Sequence, residues 1–154
     1  MQLIFEDRLT IKYQIQEMLR IEKIFEAEGI QQELDAYNPL IPDGDNWKCT
    51  LLIQYQDVRE RQGRLKELLG VEDKVWLQVG DGKRVWPIAD EDMERANENK
   101  TAAVHFIRYP LMLEDITALK SGAAITFGVE HAAYLCSPVQ VAEAVRLTLV
   151  SDIG

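Results

Sequence analysis

Two stretches of this chain repeat one pattern, and the repeat limits the architectures open to it. LLIQYQDVRERQGRLKELLG-VEDKVWLQVG (51–80) and VHFIRYPLMLEDITALKSG-AAITFGVEH (104–131) each read as strand, helix, glycine, strand. In the first, Cys49, Leu51, Ile53 and Tyr55 share one face of a strand over 48–56. Asp57 with Glu60 three residues on starts a helix in the manner of a capping box, and Gly70 ends it. Runs over 74–79 and 84–88 flank Gly80-Asp81-Gly82, the chemistry of a hairpin turn. The second copy reads as a strand over 102–109, a helix over 113–120 that stops before Gly122, and a strand over 123–130. A duplicated β-α-β-like unit predicts an α+β fold with a mixed or antiparallel sheet and helices packed on one face. A short helix over 90–97 and a terminal helix started by Ser137-Pro138 with Gln140 complete the pattern. No linker divides the chain, so residues 1–154 read as one α+β domain.

Ahead of the repeats lies a long amphipathic helix. At about 100° per residue, Ile11, Ile15, Met18, Leu19, Ile21 and Phe25 fall within an apolar arc roughly 160° wide. Lys12, Gln16, Glu17, Arg20 and Lys23 point away. Gly29 marks the end, followed by a shorter helical piece over 30–37 and a loop carrying Asn38-Pro39 and Pro42-Asp43-Gly44-Asp45. Glu22 breaks the pattern, because it projects into the apolar stripe between Ile15, Met18 and Phe25. Gln14 borders the stripe on one side, Arg8 and Glu26 on the other. A carboxylate shut away from water needs a cation, a metal or several donors, or it takes up a proton. The plain expectation is a core ion pair with Arg8 or Arg108. The sharper one is a functional carboxylate at Glu22.

Composition excludes several classes. The net charge of −9 argues against nucleic acid, whose binding depends on neutralising phosphates. No apolar run reaches the eighteen or so residues of a membrane helix. The N-terminus has no secretory pattern, which makes cytoplasm the expected location. Cys49 and Cys136 form no zinc spacing and no disulfide framework. Cys49 reads as a small buried hydrophobe, whereas Cys136, just before an expected helix start, is the chain's candidate thiol nucleophile.

Metal and phosphate motifs are sparse. Gly80-Asp81-Gly82-Lys83 lacks the spacing of a phosphate loop. Asn99-Lys100-Thr101 fits a glycosylation sequon that the expected location leaves silent. His105 and His131 are the only histidines. His105 shares a strand face with Ala103 and Ile107, opposite Val104, Phe106 and Arg108. A core or rim role is the plain reading of both. The alternative has them join Glu22 or Glu26 around a transition metal, although neither HExxH nor paired ExxH is present. Trp47, beside the proline-rich loop, is a candidate pocket wall.

The block DRLTIKYQIQEMLRIEKIFE, with AYNPLIPDG, VWLQVG, NKTAAVHFIRY and GVEHAAY, resembles an uncharacterised bacterial family, domain of unknown function 3501, over nearly the whole chain. Members ordinarily carry residues ahead of the LIFEDRLT motif, so the resemblance implies a later gene start or a missing N-terminal segment. It carries over no catalytic residues. Genes of that family tend to lie beside those for rubrerythrin-like proteins and iron–sulfur oxidoreductases, which implies a redox or peroxide-stress context. Lacking cluster cysteines, this chain would be a companion in such a system and not its electron carrier.

Two functional readings follow. In the first, the chain is an accessory protein with an exposed apolar patch for a redox partner. In the second it is an enzyme or small-ligand or metal-binding domain, with Glu22, Arg8 and Arg108 converging on a pocket beside a histidine. Homo-oligomerisation is left open.

Overall fold

Each repeat sends its two strands into different sheets. In the computed structural model, which describes residues 1–154, β1 (Gln2–Phe5) leads to α1 (Arg8–Ile21), α2 (Ala27–Tyr37) and a 3-10 turn at Asn38–Leu40. The first repeat is β2 (Asn46–Leu52), α3 (Val58–Glu67), a 3-10 turn at Val71–Asp73 and β3 (Val75–Val79). Short strands β4 (Arg84–Val85) and β5 (Ile88–Ala89) follow. The second repeat is β6 (Val104–Pro110), α4 (Leu113–Lys120) and β7 (Ile125–Val129). The chain ends with β8 (Val139–Gln140) and α5 (Glu143–Ser151).

Equivalent strands of the two repeats pair with one another. β2 runs antiparallel to β6, with Asn46 opposite Pro110 and Leu52 opposite Val104; β3 runs antiparallel to β7, with Val75 opposite Val129. The result is two four-stranded antiparallel sheets, β1-β2-β6-β5 and β4-β3-β7-β8. The single sheet expected from the repeat is thus corrected to two. Facing the two sheets buries the apolar faces of the central strands β2, β3, β6 and β7 against each other. Trp47, Cys49, Leu51, Ile107 and Tyr109 of the first sheet meet Val75, Leu77, Val79 and Ile125 of the second, with Leu119 and Leu149 in the same core. Burying each large side chain contributes about 1.5–3 kcal/mol. The polar tips are satisfied too. Trp47 Nε1–H donates to the Leu149 carbonyl at 3.0 Å, and the Tyr109 hydroxyl donates across the sandwich to the Val75 carbonyl at 2.8 Å. Gly128 is required by close packing, since a Cβ there would run into the Trp76 ring.

Three further expectations change. The run 84–88 is split between sheets: Val85 pairs with Leu77 in one, Ile88 with Arg108 in the other. Pro87 has no N–H and cannot continue a ladder, so the chain crosses there. Residues 90–97 are irregular, with bends at 91–93, and form no helix. Asp90 adopts φ 51, and its carboxylate turns to β6, accepting the Phe106 N–H at 3.1 Å. Ser137-Pro138 precedes strand β8, and the last helix starts only at Glu143.

The long N-terminal helix is two helices. Asp7 caps α1, accepting the Thr10 N–H at 2.7 Å. At the other end Lys23 takes φ 52, and Ile24 N–H donates to the Leu19 carbonyl at 2.9 Å. That bond spans six residues and defines a Schellman stop, here with lysine at the left-handed position. Gly29, expected as the terminator, lies inside α2. A Cβ there would sit 2.6 Å from Ile24 Cγ2, so the glycine lets the reversed chain pack on α2.

Candidate functional site

The structure does not gather the residues marked by the sequence into one site. Glu22 is the C-cap of α1 and is exposed, which corrects the expectation of a buried carboxylate. The reason is where the helix stops. Only Ile11 and Ile15 of α1 are buried, while Ile21 and Phe25 are 55% and 80% exposed. The apolar stripe therefore runs out of supporting surface before reaching Glu22. Glu26 is the exposed N-cap of α2, Arg8 is exposed, and Gln14 is half-buried. Arg108 lies on the outer face of the first sheet. It grips Glu91 through two bonds, of 2.9 and 2.8 Å. His131 bridges two loops: Nδ1 accepts the Ala133 N–H at 3.1 Å, so Nε2 carries the hydrogen given to the Leu69 carbonyl at 3.0 Å. No group of three or more His, Cys, Asp or Glu side chains is arranged to hold a metal ion.

His105 is on the core face of β6, as the alternation required, and is fully buried. Around it lies a polar cluster in which only the histidine was marked by the sequence. Nδ1 faces Asp90 Oδ2 at 2.6 Å, and Nε2 faces Thr101 Oγ1 at 2.8 Å and the Ala102 carbonyl at 3.1 Å. A carbonyl only accepts, so Nε2 carries hydrogen. The Thr101 hydroxyl donates onward to Glu72 Oε2 at 2.8 Å, and Arg95 reaches Asp90 Oδ1 at 3.2 Å. Burial, then the charges of Glu72 and Asp90, raise the Asp73 carboxyl above its ordinary range. Though it resembles a nucleophile–base–acid series, the cluster has no access for a substrate: Thr101 is 1% and His105 0% exposed. It ties Asp90 and Thr101, the two ends of an irregular segment, to β6. Nothing in the sequence marked Glu72.

Two accessible concavities flank α1. Between α1, the 3-10 turn and the outer face of β2 and β6 is a cleft of about 860 Å³, walled by Ile4, Leu9, Tyr13, Leu52, Val104 and Phe106 among others. Glu6 stands in this wall. Its carboxylate accepts the hydroxyls of Thr50 at 2.7 Å and Thr10 at 2.6 Å. Through Glu6, Leu40 and Phe106 the cleft adjoins a smaller one of about 290 Å³, bordered by Lys48, Glu91 and Arg108. Lys48 and Arg108 are direct cross-strand neighbours, and like charges in that position repel. Asp43, 3.0 Å from Lys48, and Glu91 on Arg108 offset the repulsion. Hydrogen bonds from Asn46 and Lys48 hold the Asp43 carboxyl low, and Arg108 does the same for Glu91. On the other flank of α1, between it and α2, runs a trough of about 400 Å³.

Elsewhere an apolar cleft of about 310 Å³ opens between β1 and the edge of the second sheet, with exposed Cys136 on its lining. Cys49 is buried, and burial pushes its thiol well above the usual range. Trp47 is 1% exposed and belongs to the core, not to a pocket wall.

Fold and surface thus define an α+β two-sheet protein with a concavity on each flank of its first helix. Residues 1–153 match the family described as Protein of unknown function (DUF3501), and the chain belongs to that family. A crystal structure of a novel protein of unknown function from Burkholderia pseudomallei K96243 is 47% identical, with a TM-score of 0.93 over 99% of this chain and 79% of that one. No curated protein matches the chain. No helix is long and apolar enough to cross a membrane.

Proposed function

We propose that this chain is a binding protein, an accessory component of a redox or peroxide-stress system, which presents α1 to a protein partner. One observation carries the reading. α1 is flanked on both sides by apolar concavities, and Leu9 and Tyr13, on the wall of the larger one, stand 72% and 63% exposed. Apolar surface gathered this way is stabilised by a partner that removes it from water, at about 25 cal/mol per Å². A rubrerythrin-like protein or an iron–sulfur oxidoreductase is the partner class implied by the family resemblance, and cytoplasm is the compartment that goes with it. The chain's own cysteines, one buried and one exposed, suit a companion and not a cluster carrier.

Titrating such a protein from the same host into the natural chain and into Leu9→Glu/Tyr13→Glu tests the reading. Both positions are exposed, so the variant keeps its fold, and its affinity falls at least tenfold. Equal affinities would remove α1 from the interface.

A second reading, as a small-ligand site, has the Glu6–Lys48–Arg108–Glu91 cleft in its favour. It is the weaker one, because Glu91 and Asp43 already occupy both cations.

A further inference from the structure

We infer that the trough between α1 and α2 receives an acidic amphipathic helix of the partner protein. The inference rests on the binding role proposed for α1 and assigns the chemistry of the element that docks there. Ile11, Ile15, Leu19, Ile30, Leu34 and Ile41 line the trough, whose polar lining consists of Arg8, Lys12, Gln16 and Asn38. No carboxylate is among them. In a chain of net charge −9 that is a local inversion of sign.

The two cations are also uncommitted. Arg20, Arg64, Arg84, Arg95, Arg108 and Arg146 each hold a carboxylate of this chain; Arg8 and Lys12, like Arg59, Arg61 and every lysine but Lys48, hold none, and of these it is Arg8 and Lys12 that line an apolar trough. They stand four residues apart, on one side of α1 and one turn from each other. Their spacing matches carboxylates one turn apart on a second helix laid alongside. The groove between two packed helices has the shape a third helix fills, and from Arg8 to Leu19 it offers roughly three turns of length. α2 has no buried residue of its own, so its side of the trough is uncovered. The occupant's apolar stripe would cover Leu19, Ile30, Leu34 and Ile41, which are half-buried above the buried floor of Ile11 and Ile15, while its carboxylates meet Arg8 and Lys12.

The test uses the full chain and synthetic helical peptides of about four turns, each with a leucine stripe flanked by charges at i,i+4. One peptide carries glutamates, a second lysines and a third glutamines. By fluorescence anisotropy the glutamate peptide binds at least tenfold tighter than the lysine peptide, with glutamine between them. Added salt narrows the gap, and Arg8→Glu/Lys12→Glu reverses the order. Equal binding of the three peptides, no binding, or a preference that survives the charge reversal would overturn the inference. So would stronger binding to phosphatidylglycerol vesicles, or a dimer in sedimentation that Leu34→Glu dissolves, since a membrane or a second copy would then own the trough. Loss of partner binding in Leu9→Glu/Tyr13→Glu alongside indifferent peptides would leave the binding role standing and remove only the acidic helix.

Discussion

His105 shows how far a single residue's surroundings can be read from sequence. Its side of the strand followed from alternation with Ala103 and Ile107, but its partners Asp90, Thr101 and Glu72 come from segments that gave no such signal. Removing one member of a buried hydrogen-bonded cluster costs about 1–3 kcal/mol, because its former partners stay behind without hydrogen bonds. His105→Ala is expected to lose that much in denaturant unfolding, and His105→Gln less. A loss under 1 kcal/mol for alanine would show that the cluster is solvated. The two thiols divide as sharply. Cys49 is buried with its thiol held protonated, and Cys136 is exposed, so a thiol reagent should modify only Cys136 in the native protein. Rapid labelling of both would place Cys49 outside the core. Glu22 was misread for a reason that also sits at this scale. Its angular position on the helix was right, but periodicity does not tell where the supporting surface ends.

Strands and hairpin were legible at the level of elements because alternation and Gly80-Asp81-Gly82 are local signals. Breaks were less so. Lys23 in a left-handed conformation ends α1, and a lysine there gives no warning, where a glycine would have. Lys23→Gly is therefore expected to stabilise the protein by about 0.5–1 kcal/mol, the cost of a side chain at positive φ. If 8–29 were instead one helix, the same change would cost about 1 kcal/mol. Thermal unfolding decides between the two signs. The repeat was likewise recognised in sequence, yet its assignment to two sheets was not. Which sheet receives a strand depends on how the apolar faces of both repeats cover one another, and that is a property of the assembled pair.

For the whole molecule, acid sensitivity follows from the ion pairs over the outer sheet face. Asp43, Glu91 and Asp92 are each held below their ordinary values, by Asn46 and Lys48, by Arg108 and by Arg95 respectively. A carboxylate with a depressed folded value contributes stability above its unfolded value, here 3.8 for the aspartates and 4.5 for Glu91, and that contribution fades as pH falls through the folded value. These side chains are half-exposed or more, so the effect is modest. Stability should decline below about pH 4.5, and Arg108→Gln should make the decline shallower. An unchanged profile would show that the Arg108–Glu91 pair is not formed in solution.

A binding role for α1 is tested most directly by hydrogen exchange on the chain with and without its redox partner. Protection is predicted to appear in α1 and α2 and along the outer face of β2 and β6, leaving the second sheet unchanged. Protection confined to the second sheet or to the Cys136 loop would contradict it.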